Sequence, residues 1–233
     1  MHERFLVRIF SAKEQRVLKG CSAVLARVAD ARTTQDVDLL RQLDDLESAY
    51  AELITAANRG VDDHLRFEAV QRVPGGQGQD QPAVEGCRVI FDAYCGITKL
   101  NPVKVDLVVG PVMTSAPEEV AQSVFEIEGM SPIRMQLYPV VDHVADKVCA
   151  TQARYGSSGG RSSRVRDLVD LVVLARSQNI DGDSLSVALR SEWAMRELEG
   201  SLIFDPPSDW ENQYPPMARR VQACGEYTTF ESA

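Results

Sequence analysis

The order of apolar and polar residues changes period several times along the chain, and each change marks an element. From Asp36 the run Asp-Val-Asp-Leu-Leu begins with apolar residues at every second position, the period of a strand. Side chains alternate across a strand, so Asp36 and Asp38 point to one side while Val37 and Leu39 turn towards a core. Two carboxylates on one face, roughly 7 Å apart by strand rise, repel by roughly 2 kcal/mol at an effective dielectric near 20 unless a cation lies between them. Taken alone, the pair also fits the solvated face of an edge strand.

Upstream, residues 14–27 read as an apolar segment, a turn and a helix: Val17 and Leu18 precede Lys19-Gly20-Cys21-Ser22, and Ala23, Val24, Leu25 and Val28 then pack. The Gly-Cys-Ser turn offers backbone N–H groups and a hydroxyl to an anion, although a glycine followed by a capping serine accounts for it equally well. From Leu39 to Asn58 apolar residues recur at the spacing of an amphipathic helix, with Asp44, Asp45, Glu47 and Glu52 on a solvated face and an end near Asn58-Arg59-Gly60. Phe67–Val73 alternates imperfectly as a strand, and 74–82 is a Gly/Pro-rich loop.

Cys87–Tyr94 and Val103–Val109 read as strands joined through Gly96 and Asn101-Pro102. In the second, Asp106 leaves the sheet opposite Val103, Val105 and Leu107, so it becomes a third carboxylate if this strand lies beside the first pair. Glu118–Phe125 is expected as a short helix and Ile133–Leu137 as a strand. After Pro139 the period turns helical: Val141, Val144, Ala145, Val148 and Cys149 form a stripe with Asp142, Asp146 and Lys147 on its edges. The segment Arg154–Arg164 reads as a flexible basic arm. It feeds an apolar helix from Val165, on which Asp167 and Asp170, three apart, share a face.

Composition narrows the class. Of the 233 residues, 44% are hydrophobic and 25% charged, as expected for a globular protein with a real core. No secretory leader and no membrane-length apolar run is present. Five cysteines without a Cys-x-x-Cys pair indicate neither a disulfide framework nor a zinc site, and a reducing cytoplasm is the simplest setting. His2, His64 and His143 have no ligand spacing. The net charge of −9 argues against coating a polyanion through bulk electrostatics. Its distribution is uneven: residues 36–63 hold eight acids against Arg41 and Arg59, whereas 147–166 hold five basic residues and no acid, which permits a focused contact with phosphate.

As a set, Leu18-Lys19-Gly20-Cys21-Ser22-Ala23, Arg32-Thr33-Thr34-Gln35-Asp36-Val37-Asp38-Leu39, Val105-Asp106, Asp146-Lys147-Val148-Cys149-Ala150 and Arg166-Asp167-Leu168-Val169-Asp170-Leu171 resemble the successive motifs of the AbiEii/AbiGii-type nucleotidyltransferase toxins, which include the mycobacterial MenT toxins. The resemblance runs from about residue 4 to about residue 215 and rests on order, spacing and residue type together. It implies an α+β fold: a polymerase-beta-like nucleotidyltransferase domain with a mixed sheet over residues 1–138, then a helical domain over 139–233 carrying Lys147 and Asp170.

It also implies roles. Asp36 and Asp38 would ligate Mg²⁺ or Mn²⁺, and Asp106 would complete the triad or take the proton of the attacking hydroxyl. Gly20, Ser22, Lys147 and Arg166 would bind the nucleoside triphosphate substrate. Asp170, or Asp167, would be the essential acid of the fourth motif. Cys21 stands where the family usually has a second glycine or serine. Such toxins work against a separately encoded antitoxin, and several add nucleotides to the 3′ end of tRNA, blocking aminoacylation. The basic stretch from Arg154 to Arg166 would then grip the tRNA acceptor end in the cytoplasm, with no membrane involved. Two other readings use the same residues: transfer to a protein Ser or Thr, and a fold that binds nucleotide or antitoxin without turnover.

Overall fold

The computed structural model describes residues 1–11, 16–34, 36–42, 45–61, 63–75, 84–110, 113–122, 133–155 and 159–233. Its centre is a mixed seven-stranded sheet in the order β3-β4-β5-β2-β1-β7-β6, built from β1 (Arg16–Lys19), β2 (Asp36–Arg41), β3 (Leu65–Pro74), β4 (Glu85–Cys95), β5 (Thr98–Val109), β6 (Glu118–Gln122) and β7 (Ile133–Leu137). β2 runs parallel to β5 and antiparallel to β1, with Asp38 opposite both Asp106 and Lys19. Alternation sorts the side chains: Val37, Leu39, Val105 and Leu107 enter one core, while Leu40 and Val108 join Val17 and Tyr138 on the other face. The helices α1 (His2–Phe10) and α3 (Leu46–Ala57) supply Phe5, Ile9 and Leu53 to the first core.

Behind the sheet come α2 (Gly20–Arg27), placed between β1 and β2, and then α4 (Val140–Gln152), α5 (Val165–Ser177), α6 (Gly182–Met195) and the short α7 (Tyr214–Ala218). Val24 of α2, the apolar face of α5, and Trp210, Tyr214 and Ala218 close a second core. α2 thus joins the sheet to the helical part.

Several expectations need correction. The helix expected from Leu39 begins at Leu46: Leu39 and Leu40 belong to β2, each buried on a different face of the sheet, and Asp45 caps α3 by accepting from the N–H groups of Glu47 and Ser48. Leu43 and Asp44 lie outside the described residues. Nor is the acidic face left to water, since Glu52 pairs with Arg41 and Glu47 with Arg72. The helix expected at Glu118 is strand β6 over Glu118–Gln122, because its backbone pairs with β7 and sheet pairing overrides the helix-forming composition; residues 123–125 fall outside the described set. The imperfect alternation of Phe67–Val73 has a physical cause in a register shift between Ala69 and Gln71, which leaves Val70 exposed. β4 and β5 are longer than expected and turn at Gly96, so Asn101 and Pro102 lie within β5.

On α4, Asp142, Asp146 and Lys147 are not at solvated edges. All three are buried, each in hydrogen bonds or ion pairs: Asp142, for example, accepts from the Thr114 N–H at 3.0 Å and the Thr114 hydroxyl at 2.7 Å. In the basic arm Tyr155 and Gly160 exchange backbone hydrogen bonds, and residues 156–158 lie outside the described set.

Candidate active site

The sheet presents three carboxylates on one face. Asp36 is half-buried, whereas Asp38 and Asp106 are buried. Arg88, on the neighbouring strand β4, takes both oxygens of Asp106, donating from Nε at 2.8 Å and from Nη2 at 2.6 Å. The same Nη2 lies 3.6 Å from Asp36 Oδ2. Asp38 has no such partner: its Oδ1 is buried and accepts no hydrogen bond among the described residues. Burial first, and the charge of Asp106 second, push the Asp38 carboxyl up to about 7, against the partial relief of Lys19 and Lys147.

The turn into α2 sits against this pair. Gly20 has φ +59°, and a Cβ there would overlap the Asp38 carboxylate, so the position needs glycine for conformation and for space alike. The Ser22 hydroxyl donates to the Asp36 carbonyl at 2.8 Å, which ties α2 to β2 and spends the hydroxyl proton inside the protein. Cys21 donates to the Arg32 carbonyl at 3.5 Å; burial pushes its thiol up to about 12, so it stays protonated and unreactive.

A second cluster is assembled by α4 and α5. Lys147 Nζ donates to Asp167 Oδ1 at 2.8 Å and to Asp170 Oδ2 at 2.7 Å. Arg32 Nε and Nη2 grip Asp170 at 2.8 Å each, and Arg164 Nε holds Asp167 at 2.5 Å. Burial disfavours each of these charges, yet the opposite charges prevail: Lys147 is held above the usual lysine range and Asp167 is held down at about 2. Beside them, Asp146 pairs with Arg196 at 2.5 Å and lies 3.8 Å from Lys19.

The two clusters face each other across a cleft of about 440 Å³ lined by Gly20, Asp36, Asp38, Lys147, Arg166 and Asp167, among others. Six of the residues singled out in the sequence therefore share one cavity. Asp106 and Asp170 stand behind it, each capped by an arginine, while Ser22 faces a neighbouring apolar cavity of about 310 Å³. Two residues given no role from sequence now have partners. Arg32 precedes the aspartate pair in a motif already noticed, but its partner is 138 positions away. Arg88 is identifiable only once β4 is set beside β5, opposite Asp106.

Among the described residues no three His, Cys, Asp or Glu side chains converge on a metal-sized point. A two-carboxylate site nevertheless fits a hard divalent cation, because Mg²⁺ is usually held by one or two carboxylates with water and phosphate oxygens completing its shell. Asp36 is open to the cleft, and the orphaned Oδ1 of Asp38 is the kind of buried acceptor that a cation would satisfy.

Among solved structures, the chain is similar to the MenT4 nucleotidyltransferase toxin from Mycobacterium tuberculosis, at 13% identity and TM-score 0.55 over 97% of this chain and 82% of that one. It is also similar to JHP933 from Helicobacter pylori, at 17% identity and TM-score 0.47 over 95% of this chain and 85% of that one. No match is found among curated proteins. The model of the AbiEii nucleotidyltransferase toxins, of type IV toxin–antitoxin systems, matches residues 4–227. With nearly its whole length matched, the chain belongs to the AbiEii nucleotidyltransferase toxin family.

Proposed function

We propose that the protein is a cytoplasmic toxin that transfers a nucleotide from a nucleoside triphosphate to the 3′ end of tRNA, in the presence of Mg²⁺ or Mn²⁺, and so stops aminoacylation. The observation that carries this reading is the Asp36–Asp38 pair, only partly answered by Arg88 and Lys19, with its orphaned buried oxygen, facing Lys147 across the cleft. Asp36 and Asp38 hold the divalent cation. Asp106 is their third member, reached once Arg88 turns outward, for which its 38% side-chain exposure leaves room. A bound cation would neutralise charge on the phosphates as the RNA 3′ hydroxyl attacks the α-phosphorus and the α–β bond breaks to release pyrophosphate.

The remaining roles fall to the chain's own side chains. Lys147 has spent two of its three N–H donors on Asp167 and Asp170, and the third is available to a phosphate oxygen in the cleft. Asp170, buried and gripped by Arg32, touches no substrate; it fixes the direction of Lys147 and is the essential acid of this cluster, with Asp167 as second anchor. Arg166, exposed at the cleft wall, contacts the nucleotide. Gly20 lets the backbone come close to the phosphates, and Ser22 supports the turn by holding Asp36. The catalytic carboxylates sit in a domain spanning 1–138 and Lys147 and Asp170 in one spanning 139–233. An antitoxin encoded elsewhere restrains the activity, as the family implies.

The test supplies the chain with Mg²⁺, each α-labelled nucleoside triphosphate in turn, total tRNA and a protein extract. Label on RNA 3′ ends, lost with Asp38→Ala and on chelation, is the expected result. Label on a polypeptide would move the acceptor to a protein Ser or Thr, and absence of any label would leave a nucleotide- or antitoxin-binding protein.

A further inference from the structure

A groove of about 660 Å³ opens off the carboxylate cleft, sharing Arg32, Thr34, Asp36, Arg166 and Met217 with it and lined also by Lys104 and Arg220. The half-buried Lys104 and the exposed Arg166 and Arg220 give it three cations with no carboxylate ion pair among the described residues, in a chain whose net charge is −9. Sheet register places Lys104 opposite Asp36, on the same face of the sheet, so the groove leads to the carboxylates. Its apolar lining is the half-buried Met217, with Val169 and Val221 themselves buried.

The basic arm, by contrast, is largely committed to the protein itself. Arg161 is held by Asp205 at 3.0 Å, Arg164 by Asp167, and Arg154 donates to the Gly159 carbonyl at 3.2 Å. Of the arginines expected to grip the acceptor, Arg166 alone lines the groove.

We propose that this groove is the path of the single-stranded 3′ end of RNA, with Lys104, Arg166 and Arg220 on successive phosphates and the terminal base beside Met217. The proposal rests on the RNA-acceptor reading above. A positively charged groove that tracks the backbone is how single strands are held without sequence readout. The concave groove and its end at Asp36 suit a chain end carrying the attacking hydroxyl. The triphosphate has its own cation, Lys147, in the adjoining cleft, and Arg166, which lines both cavities, stands between the two ligands.

The test uses Lys104→Gln, Arg220→Gln and the double variant in the full chain, with a fluorescent single-stranded RNA bearing a free 3′ hydroxyl and with nucleoside triphosphate. Unchanged circular dichroism and melting establish that the variants fold. For the double variant, the KM for RNA should rise at least tenfold while the KM for triphosphate stays within twofold. The slope of log binding constant against log salt should flatten by about 1.4, at about 0.7 for each phosphate no longer neutralised. Unchanged RNA affinity and slope would overturn the proposal, as would a raised triphosphate KM, which would make the groove a triphosphate subsite. If the unaltered chain labels a polypeptide and binds no RNA, the acceptor reading falls and takes the groove with it. If the unaltered chain labels RNA and the variants match it, the groove alone falls.

Discussion

The two charge clusters on either side of the cleft are built in opposite ways. Around Lys147 every ion is answered: Asp167 meets Lys147 and Arg164, and Asp170 meets Lys147 and both donors of Arg32. On the sheet, one arginine serves Asp106 and Asp36, and Asp38 keeps a buried oxygen without a partner among the described residues. The first arrangement holds together unaided and is a structural frame for one lysine. The second is electrostatically incomplete, and its stability and its activity pull against each other. Burying charge without compensation is tolerated chiefly where a ligand completes the set.

Mutation can break this contrast. The largest effect is expected at the incomplete cluster, in activity. Asp38→Ala should lower kcat by roughly a thousandfold, the several kcal/mol that cation-mediated neutralisation supplies, with the fold kept by circular dichroism. At the complete cluster the larger effect should be on stability. Lys147→Ala leaves Asp167 and Asp170 buried with less compensation, at a cost of roughly 3–5 kcal/mol, or about 10 °C in Tm for a chain of this size. Adding Asp170→Asn should recover part of that loss; strict additivity would mean that the two do not act as a unit.

Acidity reveals the same contrast from the other side. The Asp38 carboxyl is raised to about 7 in the fold from an ordinary value near 4, so the stability it contributes is present below pH about 4 and lost as pH rises through about 7. Asp38→Asn removes that loss. In chelator it should raise Tm at pH 8 by several degrees and at pH 5 by about a third as much, whereas a uniform shift at both pH values would contradict the assignment. Added Mg²⁺ should stabilise the parent at pH 8 and not the variant. The smallest effect belongs to an exposed pair: Arg161→Gln breaks a bridge to Asp205 whose partners are half or more exposed, and should change unfolding free energy by less than about 1 kcal/mol.

Much of the sheet side was legible in the sequence because its signals are local. Strand alternation alone puts Asp36 and Asp38 on one face and Asp106 opposite its apolar neighbours, and the register then sets Asp38 beside Asp106. The helical side was legible only in part. That Asp167 and Asp170 share a face follows from their spacing, but burial of Asp142, Asp146 and Lys147 does not follow from a helix that looks amphipathic. Each of those charges is buried because a partner from a distant element meets it, and sequence spacing carries no trace of Arg32 reaching Asp170 or of Arg196 reaching Asp146. The misread helices at Leu39 and Glu118 have the same origin: two adjacent leucines serve two faces of one strand, and a glutamate-rich segment is captured by β7. Where tertiary pairing decides, local propensity loses.

The close approach of Gly20 to Asp38 has a consequence for cells that carry the protein. Every single-base change in a glycine codon is either silent or brings in a residue that bears a Cβ, or a stop. Any such missense change at position 20 drives the new Cβ into the Asp38 carboxylate and forces a positive φ on a side-chain-bearing residue. The clash falls on the Asp38 side chain and not on the apolar side chains of either core. Cells growing under the toxin should therefore escape through codon 20 with a full-length, folded and harmless product, and sequencing of survivors would count how often they do.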